Sequence, residues 1–137
     1  MNIEEIRTYC LSLPYVVEAM PFDDTTLIFK VGGKWFAVVD LEQNGKVVVK
    51  CDPDLAIELR DRHSEVTAAW HFNKRHWNAI SLYGDLADSF IIEQIYNSYM
   101  LVINKNVTPR ALRLEILTAV RELDTEAHSG TLCDNDL

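Results

Sequence analysis

Residues 26–50 read TLIFKVGGKWFAVVDLEQNGKVVVK, and their reading decides the fold. Leu27, Phe29 and Val31 alternate with Ile28 and Lys30, a period of two that places the sets on opposite faces of a strand. Gly32-Gly33 supplies the positive φ that a tight hairpin turn needs. KWFAVVD returns as a second strand, rich in aromatic and β-branched residues. Asn44-Gly45 is a second hairpin signal, and KVVVKC is the third strand. Such an antiparallel meander predicts one sheet face covered by helices.

Helix signals flank the meander. Asn2 and Glu5 form a capping box ahead of Ile6, Tyr9, Cys10 and Leu13, which share one helical face, and Pro14 ends the run. YVVEAMPFDD reads as an extended lead-in with room for a short strand. Asp52 caps a second helix with Pro53 at its first position, and Leu55, Ala56, Leu59 and His63 on one face. Residues 66–70 and 79–83 read as two further strands. Asp88 is expected to cap a long helix striped with Ile92, Ile95, Tyr96, Tyr99, Val102 and Ile103. Thr108 and Pro109 open a last helix that buries Leu112, Ile116, Leu117, Val120 and Leu123. The expected fold is α+β: a two-layer sandwich of order α-βββ-α-ββ-α plus a C-terminal helix, with the helices on one side of an antiparallel sheet. Residues 1–123 form the single domain, and residues 124–137 an acidic tail expected to be disordered.

Composition bounds the function. The 137 residues carry a net charge of −8 and 48% hydrophobic residues, enough for one domain with its own core. Only the middle of the chain, residues 30–76, is not net negative. No apolar run is long enough to span a membrane, and the acidic N-terminus does not resemble a signal peptide, so a cytoplasmic location is expected. Of the three cysteines, Cys10 reads as a core residue and Cys133 as an exposed thiol without an activating base. There is no CxxC.

Outside the core pattern stands HFNKRHWN, His71 to Asn78. As a metal site it lacks ligand spacing: His71 and His76 are five apart, and His63 and Cys51 are distant in sequence. As a catalytic site it lacks a nucleophile with a base and an orienting group; Ser64 and Ser81 recommend themselves only by being near. VGGK is a hairpin and no phosphate-binding loop. No catalytic residue, cofactor or metal is therefore predicted. As a nucleic-acid contact, Lys74 and Arg75 can meet phosphates, His76 and Asn78 can hydrogen-bond, and Trp77 can stack on a base. Lys34 and Lys46 at the hairpin tips would add contacts, and His71 would be a secondary polar one. Against this, the whole-chain charge opposes phosphate binding, and Trp77 leading into a strand reads as a core anchor whose neighbours fix a corner.

Taken in order, LSLPYVVE, PFDDTTLIFKVGGKWFAVV, VVVKCDPDLAIELRDRHSEV, HFNKRHWNAISLYGDL and the Ser98-Tyr99 pair resemble the MmcQ/YjbR family, over roughly residues 3 to 117. Asn73, Lys74, His76 and Trp77 ahead of a strand are the most specific part. The resemblance implies a CyaY-like α+β sandwich and a "double-wing" DNA-binding role, and it brings no enzyme activity or cofactor. The same two-layer shape resembles secretion-chaperone domains, which makes a protein partner the second expectation. A contiguous basic face of Lys34, Lys46, Lys74 and Arg75 would favour DNA; an apolar exposed patch on the sheet or first helix would favour a protein.

Overall fold

The computed structural model describes residues 1–22, 24–42, 45–69 and 72–136, with side chains through residue 126. Asn44, His71 and the Cys133 side chain lie outside the described residues. The elements run α1 (Ile3–Ser12), β1 (Val16–Ala19), β2 (Thr26–Val31), β3 (Lys34–Asp40), β4 (Lys46–Lys50), α2 (Pro53–Arg62), β5 (Val66–Ala68), β6 (Trp77–Ser81), α3 (Asp88–Asn106) and α4 (Arg110–Asp136). The strands make one sheet of order β1-β2-β3-β4-β6-β5, with every neighbouring pair antiparallel. The lead-in before the meander is a true edge strand, β1. Backbone helix continues through residues 124–136, the segment set apart by sequence as a tail. Among the described residues no helix is long and apolar enough to cross a membrane.

The helices cover one face. Ile6 and Cys10 of α1, Ala56 and Leu59 of α2, Ile95, Tyr99 and Ile103 of α3, and Ile116 and Val120 of α4 bury against Leu27, Phe29, Val31, Val39, Val47 and Val49. Local capping explains the helix starts. Asn2 and Glu5 exchange the two bonds of a capping box, and Asp52 accepts from the Leu55 N–H ahead of Pro53. Asp88 is not the cap of α3. That position belongs to Ala87, with no side-chain bond, and Asp88 instead pairs with the N-terminal amine at 3.2 Å. The buried stripe of α3 contains Ile91, Gln94 and Ser98, while Ile92 is only half-buried. Leu55 and Leu123 likewise turn to solvent.

A β-bulge lies between Phe29–Lys30 and the facing residues of β3, where Phe36 is the extra residue. Phe36 and Ala37 consequently both enter the core. The Phe36 ring meets Tyr99 edge-on at 5.3 Å. Tyr99 in turn donates its hydroxyl to the Pro14 carbonyl at 2.6 Å, tying α3 to the α1–β1 turn. In that turn Tyr15 holds a left-handed φ of 64°.

The other sheet face carries Ile28, Val38, Val48 and Ala79 in one cross-strand row. Loops supply aromatic partners there: Phe22 meets Trp35 at 5.6 Å, and Phe72 meets Trp77 at 5.2 Å. Trp77 shares the parity of Ala79, so it belongs to this second face, where Ile28, Val38 and Ala79 are also buried. It is half-buried and is not an anchor of the main core.

Candidate nucleic-acid interface

Ahead of β6, residues 73–77 fold into a corner held by their own backbone bonds. The Asn73 carbonyl accepts from the N–H groups of His76 and Trp77, each at 3.0 Å. The Asn73 side-chain oxygen accepts from the Arg75 N–H at 3.0 Å, a local turn of the kind asparagine favours. The His76 carbonyl accepts from the Cys51 N–H at 2.7 Å and docks the corner on the end of β4. Arg60 of α2 then donates to the Lys74 carbonyl at 2.9 Å and to Asn78 Oδ1 at 3.1 Å. Asn78 Nδ2 donates to the Ala56 carbonyl at 3.3 Å. The corner is therefore structural in its backbone, while its exposed apex carries Lys74 and Arg75.

Asn78 is only 1% exposed, so the structure removes it from the predicted contacts. The physical reason is register. The strand begins at Trp77 rather than Ala79, and alternation then points Asn78 toward α2. Lys34 and the Lys74–Arg75 apex lie at one end of the sheet, where the Gly32-Gly33 turn sits. Lys46 lies at the opposite end, because successive hairpins of a meander turn at opposite ends. The basic face expected from Lys34, Lys46, Lys74 and Arg75 is thus not contiguous. His76 is half-buried.

Two cations went unread in the sequence. Lys50 ends β4 and Lys105 closes α3, and both reach the same end as Lys34. With Asn73, His76, Trp77 and Leu101 they line a cleft of about 550 Å³. Lys50 Nζ donates to Asn106 Oδ1 at 2.8 Å, and burial pushes its amine below the ordinary lysine value. No local signal links these lysines. The link is topological: β4 and α3 both finish where the first hairpin turns.

Charge is sorted along the strand direction. One end gathers Lys34, Lys50, Lys74, Arg75 and Lys105. The other gathers Asp40, Glu42, Glu65, Asp85 and Asp88. Asp52 and Asp54 also lie at the basic end, at the start of α2. A second groove, about 740 Å³, opens at the acidic end between α1 and β1. Its Arg7 and Glu18 pair with each other at 2.6 Å, leaving Met20, Leu27 and Leu41 as its apolar wall.

Among the described residues no three metal-ligating side chains converge. Cys10 and Cys51 are buried, and burial pushes the Cys10 thiol up to about 12 and raises Cys51 as well, the reverse of thiolate activation.

A family model described as YjbR matches residues 11–101. The chain is 35% identical over 105 residues to the uncharacterized protein YjbR of Escherichia coli K12, covering 76% of this chain and 89% of that one. It is 26% identical over 103 residues to the uncharacterized protein YbdF of Escherichia coli O157:H7, covering 74% and 84%. The crystal structure of Deinococcus radiodurans protein DR2400, a DUF419 domain, superposes with a TM-score of 0.77 at 34% identity, over 83% of this chain and 86% of that one. A protein from Pseudomonas syringae shares the fold, with a TM-score of 0.64 at 22% identity, over 74% of this chain and 98% of that one.

Proposed function

The chain belongs to the YjbR family, and on that premise we propose that it is a non-enzymatic module that binds DNA through the basic end of its sheet. The observation that carries this reading is the sorting of charge. A protein of net charge −8 is repelled by a polyanion as a whole. Here Lys34, Lys50, Lys74, Arg75 and Lys105 collect at one end, outnumbering Asp52 and Asp54 there, and the local field can draw in phosphates. The wings are then the Gly32-Gly33 turn with Lys34 and the β5–β6 corner with Lys74 and Arg75, since these two tips share an end. The hairpin that leads to Lys46 faces away and plays no part. The family resemblance supports the same reading by analogy of fold.

Fluorescence anisotropy with labelled duplex, at low and near-physiological salt, tests it. Lys74→Glu/Arg75→Glu should weaken binding to all sequences and flatten the salt dependence by about 0.9 per lost phosphate contact. Lys46→Glu should leave both unchanged. A folded Lys74→Glu/Arg75→Glu protein with wild-type affinity refutes the assignment.

One observation favours a second reading, a protein partner. Among the described residues the edge strand β1 has a strand neighbour on one side only, and Val17, Met20 and Phe22 on or beside it are 55%, 44% and 68% exposed. An extended peptide could add to that edge. Absence of DNA binding even at low salt would favour this surface.

A further inference from the structure

The cleft between the corner and the end of α3 holds two lysines, Lys50 and Lys105, and one carboxylate, Asp52. Among the described residues no carboxylate pairs with Lys50 or Lys105. The acid in the cleft lining is Asp52, whose carboxylate caps α2 by accepting from the Leu55 N–H. Lys50 is partly withdrawn from water and oriented by a neutral partner, Asn106. Taking a charge out of water without an opposite charge is costly. An anion entering the cleft would supply the missing partner. Beside the lysines, Trp77 and Leu101 also line the cleft, residue types that suit a flat apolar body. The volume of about 550 Å³ falls within the range of small-molecule sites, roughly 300–1,000 Å³.

We infer that this cleft is a small-molecule site for an anion that carries a phosphate or carboxylate on a planar body. The acid group sits between Lys50 and Lys105, the ring lies against Trp77 and Leu101, and His76 and Asn73 border the opening. This site goes beyond the DNA reading and does not depend on it, because the apex cations Lys74 and Arg75 are not in its lining.

The test is nitrogen–proton NMR of the full chain, following the Trp77 indole N–H and the Lys50 and Lys105 amides. Four probes are titrated: adenosine monophosphate, benzoate, adenosine and inorganic phosphate. A saturable shift with adenosine monophosphate or benzoate, and none with adenosine, is expected. Binding by the nucleotide alone identifies a phosphate ligand, and by benzoate alone a carboxylate. Inorganic phosphate should bind at least about fivefold more weakly, and Lys50→Gln/Lys105→Gln should weaken the planar anion about tenfold. No saturable shift with either planar anion up to about 10 mM, an equal response to inorganic phosphate, or unchanged affinity in the folded double variant overturns the inference.

Discussion

The Ser98 hydroxyl donates to the Phe36 carbonyl at 2.6 Å, across 62 residues of sequence. The same oxygen accepts from the Lys50 N–H at 2.8 Å. Phe36 is the bulge residue of β3, and Lys50 lies one residue past the last β3–β4 pair. One hydroxyl from α3 therefore serves backbone groups at the two places where the ladder is interrupted. Ser98→Ala leaves a buried carbonyl and an amide without this partner. It should cost about 2–4 kcal/mol, near the sum of two unmet groups. Urea unfolding of the variant beside wild type checks this; a loss under about 0.5 kcal/mol would show that the backbone groups find other partners.

Gly32 and Gly33 both hold positive φ, at 57° and 78°, yet their surroundings differ. A Cβ on Gly32 would fall 2.8 Å from a methyl of Val107, which is itself fully buried, whereas one on Gly33 would meet nothing within 4 Å. Gly33→Ala should cost only the backbone penalty, about 1–2 kcal/mol. Gly32→Ala adds overpacking of about 1–3 kcal/mol. Thermal unfolding of the pair should rank Gly32→Ala well below Gly33→Ala, and equal midpoints would refute the contact.

Asn78 and the Lys74–Arg75 apex should separate cleanly in experiment. Asn78→Ala removes the acceptor for Arg60 and the donor to the Ala56 carbonyl, and should destabilise by about 1–3 kcal/mol. The apex charge reversal should leave stability within about 0.5 kcal/mol, since both side chains are exposed. Denaturant midpoints and DNA affinities of the two variants provide the check. An apex variant as unstable as Asn78→Ala would mean that the cations hold the corner together.

Lys50→Met should be neutral or stabilising at pH 7, by no more than about 1 kcal/mol, because the amine keeps much of its solvation. The sign follows from burial lowering the folded value of a base. Charged Lys50 then costs stability at every pH below that folded value. The cost fades as pH rises from there into the ordinary lysine range, so the advantage of methionine should shrink over the same window. Stability measured across alkaline pH reads this directly, and a gap that widens with pH would reverse the assignment.

Much of the fold was legible because its signals are local. Val47 and Val49 alternate within their own strand, and Asn2 with Glu5 or Asp52 with Pro53 announce helix starts within four residues. Two features were left open or unread because their local signals are weak. β1 is four residues without a turn motif, and the Phe36 bulge is defined only by β2 across from it. For the site, HFNKRHWN was visible as an anomaly, but its division of labour was not. Starting the strand at Trp77 instead of Ala79 sends Asn78 inward and leaves Lys74 and Arg75 outside. Lys50 and Lys105 were hidden because their meeting depends on where β4 and α3 both stop.

The sorting of charge along the strands also makes the molecule an electric dipole, with consequences for how an encounter begins. In a field that falls off within about 8 Å at physiological ionic strength, a polyanion repels the acidic end and turns the basic end toward itself before contact. The approach is thus selected by torque rather than by search. On the proposed DNA reading, a net-negative protein so oriented loses collision frequency but presents one face to the duplex.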